Sequence, residues 1–389
     1  MSSHQFIPYG RQSITEEDIQ AVVEVLRSDW LTQGPMIERF EQAIADDCGA
    51  RYAVAVANGT AALHLAALAA GFAPGDEVIT SPITFVASAN CIAYCGATPV
   101  FADIDARTYG IDPEQIRQRL TGKTRGLIPV HFAGQPCDMG AIAAIAKGHH
   151  LTVIEDAAHA IGASYQVEGE TFRVGCCAHS DMTIFSFHPV KHLTTGEGGM
   201  ITTNSAELYE KLCLLRTHGI TKDPSRLTRN DGPWYYEQQE LGFNYRITDL
   251  QCALGLSQLK RLDAFVARRR QIAGIYDQAF STEKELIVPE QHSCALSSWH
   301  LYMLGLRSLD RKTVFTKLRE QGLGVNVHYI PVHMQPYYRE TLGCREGDFP
   351  KAEAYYRRVL TLPLYPAMTD EDVRTVIDAV HETVREMLS

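Results

Sequence analysis

Lys191 lies in the stretch Met182-Thr-Ile-Phe-Ser-Phe-His-Pro-Val-Lys-His-Leu-Thr-Thr-Gly-Glu-Gly-Gly199, between an apolar run with strand character and a glycine-rich turn. A lysine placed there loses part of its hydration. A partly desolvated amine sheds its proton and attacks carbonyl carbon, which a fully hydrated ammonium does poorly. The alternative at this position is a solvated surface lysine.

Three further groups of residues bear on that choice. Asn58-Gly-Thr-Ala-Ala62 joins an expected strand to an expected helix. Its glycine permits close backbone approach, free amides at a helix start suit a phosphate, and Thr60 adds a hydroxyl. A plain turn and cap is the alternative. Asp156, in Val153-Ile-Glu-Asp-Ala-Ala-His159, directly follows an apolar strand. Its carboxylate is therefore expected in the crevice at the C-terminal ends of the strands, where it can keep a pyridine nitrogen protonated. Capping the next helix is the other reading. Phe85, in Ile83-Thr-Phe-Val-Ala87, offers a flat face for a ring, or else fills the core. Around Lys191, Ser186 and His188 are polar neighbours, and Gly196, Gly198 and Gly199 free the backbone. A phosphate cup, an acid partner for a pyridine nitrogen, a stacking surface and an imine-forming lysine are together the requirements of pyridoxal phosphate. Each part alone is unspecific; the set is specific.

The elements that must position these residues follow from periodicity. Thr15-Glu-Glu-Asp18 is a helix-start signal, with Ile19, Val22, Val23 and Leu26 at helical spacing behind it. Strands are expected at 52–57, 77–80, 99–103, 126–130, 151–155, 182–186 and 199–202, and helices at 60–70, 87–94 and 141–147. Apolar strands alternating with helices predict an α/β fold with a mainly parallel sheet covered on both faces. From 250 to 276 one long amphipathic helix is expected, with Leu256, Leu259, Leu262 and Phe265 on its apolar face. It marks the passage from a large domain, 1–249, to a smaller one, 250–389, with strands at 301–306 and 325–329. Two domains suit a chain of 389 residues.

Composition excludes several classes. With 45% hydrophobic and 21% charged residues the chain is of ordinary globular type, and a net charge of −10 argues against a nucleic-acid surface. The ten cysteines show neither disulfide nor metal spacing. His188 and His192 are separated by Pro189, which makes a ligand-bearing helix there unfavourable. The first residues show no basic region followed by an apolar one, so no secretory signal is expected. The longest apolar run, Ala61 to Ala73, contains His64 and is too short to span a bilayer. Scattered free thiols point to a cytoplasmic setting.

Over essentially its whole length the sequence resembles the sugar aminotransferases of the DegT/DnrJ/EryC1/StrS family, which are fold-type I pyridoxal phosphate enzymes. The motifs above carry the likeness, with Leu31-Thr-Gln-Gly-Pro35 and Gly242-Phe-Asn-Tyr-Arg246. Ile7-Pro-Tyr-Gly-Arg-Gln-Ser-Ile14, Pro129-Val-His-Phe-Ala-Gly-Gln-Pro136, Phe187-His-Pro-Val-Lys-His192 and Pro233-Trp-Tyr-Tyr236 are similar to the subgroup that serves pseudaminic acid biosynthesis. The resemblance implies an aspartate aminotransferase-like fold with a smaller C-terminal α+β domain. It implies that Lys191 is the catalytic residue, linked covalently to the cofactor and then shuttling protons. Asp156 would pair the pyridine nitrogen and Phe85 would stack on the ring, while Thr60, Ala61 and Ser186 hold the phosphate. His159 stands where much of the family has glutamine, near the ring hydroxyl, a departure shared by that subgroup. Asn244 would reach the cofactor phosphate of a neighbouring subunit, giving a homodimer with a shared active site. For the sugar nucleotide the match points to Tyr9, Leu31, Thr32, Gln33, His188, His328, Tyr329, Ile330 and Pro331. The implied substrates are L-glutamate and a UDP-linked keto sugar, with no metal, nucleic acid or membrane involved.

Three rivals meet specific residues. Sugar dehydratases of the same family carry histidine in place of the imine lysine. A regulator that keeps the fold is free to lose Asp156 or Lys191. A nicotinamide enzyme calls for a G-x-G-x-x-G fingerprint after the first strand, which this chain lacks.

Overall fold

The computed structural model describes residues 6–389. Its centre is a sheet of seven strands: Tyr52–Val56 (β1), Glu77–Thr80 (β2), Thr98–Phe101 (β3), Thr124–Ile128 (β4), Thr152–Asp156 (β5), Met182–Ser186 (β6) and Gly199–Thr203 (β7). The spatial order is β1-β7-β6-β5-β4-β2-β3. All pairings are parallel except those of β7, which runs antiparallel to both β1 and β6. The connection from β6 to β7 contains no helix. Without a crossover helix the chain returns beside β6 in the opposite sense, and the Lys191 loop is left at the edge where the parallel strands end.

The strands are buried along nearly their whole length, as expected for a sheet covered on both faces. The helices Glu16–Leu26 (α1), Pro35–Cys48 (α2), Gly59–Ala69 (α3), Ala87–Tyr94 (α4) and Ala206–Arg216 (α5) surround it. Helix α3 is buried almost all round because it lies between the sheet and helices α4 and α5, and its many alanines allow that close approach. Helix α1 starts after Thr15 as the sequence signal predicts, with the Asp18 carboxylate accepting the Thr15 N–H at 2.9 Å.

Two expectations are corrected. The single helix expected over 250–276 is two helices, Asp249–Leu259 (α6) and Leu262–Phe280 (α7). Gln258 donates to Asp18 and to the Ser13 carbonyl, and Arg261 pairs with Asp18, so the break falls where the chain is tied to α1. The strand expected at 325–329 is not formed; only Asn326 bridges, to Thr361. That segment leaves the sheet to line a cavity, with Tyr355 donating to the His328 carbonyl at 2.6 Å and the Val332 N–H donating to the Pro82 carbonyl at 2.8 Å.

A second, three-stranded antiparallel sheet contains Leu286–Ile287 (β8), Tyr302–Leu306 (β9) and Val359–Leu362 (β10). Leu262 and Val266 of α7 pack with the core of the large sheet, whereas Ile272, Tyr276 and Phe280 pack with that of the small one. Ile7 belongs to the small core, because Ile7–Pro8 pairs in parallel with Leu323–Gly324.

Candidate active site

The parallel strands end at a cavity of about 1220 Å³. Asn58 follows β1, Thr84 and Phe85 follow β2, Asp156 closes β5 and Ser186 closes β6, so the lining residues come from the C-terminal ends of several strands. Lys191 reaches it from the β6–β7 connection, where its backbone N–H turns back onto the His188 carbonyl at 2.9 Å. Burial pulls the Lys191 amine down to about 8; Asp156 opposes this and the charge of Arg269 adds to it. Half-buried and lining the cavity, Lys191 is not the fully solvated lysine of the alternative reading. In cofactor-free protein, covalent capture of pyridoxal phosphate should rise with pH to a midpoint near 8, not the ordinary 10.5. Borohydride trapping followed by intact-mass measurement checks this, and a midpoint near the ordinary value would contradict the buried environment.

Asp156 is buried, and no helix follows it, so the capping alternative also fails. One carboxylate oxygen accepts the Ser88 hydroxyl at 2.6 Å and the other accepts the Ala158 N–H at 3.2 Å. Thr84 lies 2.6 Å behind Ser88 and completes a short hydroxyl chain. Burial raises the Asp156 carboxyl, while the Ser88 and Ala158 bonds and the charge of Lys191 favour its anion. The adjacent Glu155 points to the other face of the sheet, where it accepts from His131 at 2.6 Å and from Thr183 at 2.9 Å.

Phe85 is 57% exposed and lines the cavity, with its ring 6.2 Å from that of Tyr329. An aromatic ring left open in a cavity is not a core residue. His159 is fixed from both sides: Nδ1 accepts the Ala133 N–H at 3.3 Å, which leaves the proton on Nε2, facing the Tyr329 hydroxyl at 3.1 Å. Burial holds its pKa well below the usual value, and the charge of Lys191 adds to this, so the ring is neutral.

At the start of α3, the Asn58 side chain accepts the Ala61 N–H at 2.8 Å. The Ala61 amide is thus already committed, and the first-turn amides of Gly59 and Thr60 are those that face an anion. A Cβ at Gly59 would lie 2.9 Å from the Cβ and 3.2 Å from the Oγ of Ser186, so only glycine leaves this cradle open. Thr60, Ala61, Ser186, His188, Tyr9, His328 and Tyr329 all line the same cavity. Pairing of Ile7–Pro8 with Leu323–Gly324 brings the Tyr9 ring within 5.3 Å of His328. Burial and the charge of Lys191 lower His328 to about 4.

Six predicted residues lie outside this lining. Ile330 and Pro331 continue past it. Asn244 sits on an extended segment in which Phe243 and Tyr245 face the cavity, so by alternation Asn244 and Arg246 face away. On that far side a second cavity of about 280 Å³ is lined by Gln33, Arg216 and Arg246. Thr32 bridges Thr248, and Asp249 accepts the Gly34 and Met36 N–H groups at 2.8 and 2.9 Å, which anchors the loop that carries Leu31, Thr32 and Gln33. Sequence reasoning missed Ser88, Asn58 as cap, and His64, Tyr94 and Tyr245 in the cavity wall. Asn58 before a helix start was a readable cap signal. Ser88 had none, since its role depends on α4 bringing it to Asp156.

These residues fit pyridoxal phosphate: an open glycine cradle beside Ser186, an exposed ring face, a buried carboxylate and a lysine amine depressed by burial. Residues 12–381 match the DegT/DnrJ/EryC1/StrS aminotransferase family. The chain is 47% identical over 387 residues to the spore coat polysaccharide biosynthesis protein SpsC of Bacillus subtilis (strain 168), covering 98% of each chain. Helicobacter pylori PseC, an aminotransferase involved in the biosynthesis of pseudoaminic acid, superposes with a TM-score of 0.90 at 30% identity, over 98% of this chain and 100% of that one. The putative sugar aminotransferase Spr1654 of Streptococcus pneumoniae, in its PMP form, gives 0.90 at 31% over 98% of each. With its lysine, buried carboxylate and glycine-bearing helix start in one cavity, the chain belongs to the DegT/DnrJ/EryC1/StrS family and is a pyridoxal phosphate-dependent sugar aminotransferase.

Proposed function

We propose that the protein transfers the amino group of L-glutamate to C4 of a UDP-linked 4-keto-6-deoxy-N-acetylhexosamine. The acceptor is UDP-2-acetamido-2,6-dideoxy-β-L-arabino-hex-4-ulose and the product UDP-4-amino-4,6-dideoxy-N-acetyl-β-L-altrosamine, an intermediate of pseudaminic acid biosynthesis. The observation that carries this reading is the likeness to PseC over 98% of this chain and 100% of that one. A second reading, another nucleotide-linked 4-keto or 3-keto sugar destined for a polysaccharide, is favoured by the higher identity to the spore coat protein.

Bound pyridoxal phosphate supplies an electron-accepting ring and a carbonyl that exchanges amino groups. Gly59, Thr60 and Ser186 would hold its phosphate, Phe85 would offer its exposed face to the ring and Asp156 would favour the protonated ring nitrogen. His159 would stand near the ring hydroxyl, with its Nε2 proton directed to the Tyr329 hydroxyl. Lys191 Nζ holds the cofactor between turnovers, then as a free amine takes the proton from Cα of glutamate and returns one to the sugar at C4. Tyr9, His188, His328 and Tyr329 form the wall against which the sugar is placed.

Among residues lining the cavity Lys191 is the one Lys or Arg, although glutamate and UDP are both anionic. This supports a homodimer in which Asn244 of one subunit, with the loop of Leu31, Thr32 and Gln33, completes the site of the other. Residues 1–249 and 250–389 are read as the two domains of a cytoplasmic enzyme; no helix is long and apolar enough to cross a membrane among the described residues. Amino transfer from glutamate to a panel of UDP-keto sugars, with the C4 configuration of the product determined, tests the substrate. Preference for a 3-keto sugar or for another C4 configuration moves the assignment to the second reading. Co-expression of Lys191→Ala and Asn244→Asp chains tests the shared site. Each alone should be poorly active, and mixed dimers should regain activity, because one of their two sites is intact. No regain means that Asn244 does not serve across subunits.

A further inference from the structure

Arg269, on α7, is 1% exposed and forms no ion pair among the described residues. Its Nη1 donates to the carbonyls of Trp299 at 3.3 Å, His300 at 3.1 Å and Leu364 at 2.8 Å, and its Nε is buried without a partner. Three carbonyls need donors but not a charge, and a buried charge without a counter-ion is costly. The position therefore calls for a reason that a neutral amide would not satisfy.

That reason lies on the far side of His300. The His300 ring is 4.4 Å from that of His159 and 5.5 Å from that of His192, the residue after Lys191. His192 is buried; its Nε2 donates to the Ser298 carbonyl at 2.9 Å, and its Nδ1 has no partner. Arg269 is thus joined through the His300 carbonyl to a tier of three imidazoles, His300, His159 and His192, the last of which follows Lys191 in the chain, and Asp156 is the buried carboxylate that acts on Lys191. We propose that Arg269 is a positioning residue for Lys191, a fixed buried positive charge that keeps the lysine amine and the imidazole tier unprotonated. This rests on the reading of Lys191 as the cofactor lysine and adds to it the residue that sets its protonation.

The surrounding charges agree. The charge of Arg269 is the next lowering influence after burial on Lys191 and His192, and it lowers His300 behind burial and the charges of His159, Lys191 and His192. Asp156 is the group that favours the ammonium form of Lys191. His159 and His328 are held neutral, and Tyr9 and Tyr329 keep their protons through burial. On α7 itself Arg268 turns outward to Asp370 and Arg270 to the Ser297 carbonyl, while Tyr276 donates to the Pro363 carbonyl. Burial pulls Arg269 down to about 9, which leaves it charged at neutral pH.

The test is the pH dependence of pyridoxal phosphate capture by cofactor-free protein, trapped with borohydride and read by intact mass. Arg269→Gln keeps donors for the carbonyls and removes the charge. Arg269→Met serves as a second neutral variant should the glutamine variant not fold. The neutral variants should raise the capture midpoint by about one pH unit, a roughly tenfold loss of free amine at neutral pH. Capture midpoints in the neutral variants equal to that of the wild type overturn the proposal in favour of a packing role. Absence of capture at Lys191 in the wild type would instead refute the cofactor assignment itself.

Discussion

Lys191→Ala should lower amino transfer by about 10⁴-fold or more, the upper end of what a positioned acid–base group contributes. Lys191 Nζ is the one amine lining the cavity, and no other group there combines a cation with a depressed pKa. The neutral imidazoles of His159 and His328 lie nearby, but His159 is committed to the Ala133 amide and the Tyr329 hydroxyl. The phosphate cradle and Asp156 survive the substitution, so the variant should still bind pyridoxamine phosphate. Equilibrium dialysis reads the binding, and coupled detection of 2-oxoglutarate reads the turnover. Retention of a substantial rate would remove Lys191 from the mechanism.

Asp156→Asn should cost on the order of 10²–10³ in kcat, the range seen when one preorganised electrostatic contact is removed from a dry site. The amide oxygen can still accept the Ala158 N–H while the amide nitrogen donates to the Ser88 hydroxyl oxygen, which keeps the fold and isolates the charge. What is lost is the anion that keeps a ring nitrogen protonated. The cofactor absorbance of the variant should shift while its phosphate remains anchored at the α3 cradle. An unchanged kcat with unchanged absorbance would mean that Asp156 acts only as a hydrogen-bonded core residue.

Much of this was legible in the chain. The alternation of apolar strands with helices determined a mainly parallel sheet, because strands buried on both faces must be apolar throughout. Asp156 at a strand end and glycine before a helix then fell in the crevice where such sheets place ligands. The local signal of Thr15 before α1 also held, since capping is decided within one turn.

What the chain alone left open was decided by long-range geometry. Whether Lys191 was solvated or buried, Phe85 core or cavity, and Asp156 a cap or a partner depended on which surfaces came together. Strand alternation chose Asp156 over Glu155 for the cavity, and placed Asn244 and Arg246 on the face opposite Phe243 and Tyr245. Arg269 carried no sequence signal, because its significance lies in a missing counter-charge and in His300 between it and the Lys191 loop. Residue type and periodicity set which chemistry was possible. Burial and the distances between segments far apart in sequence set the charge state of each group, and those quantities exist only once the tertiary structure has formed.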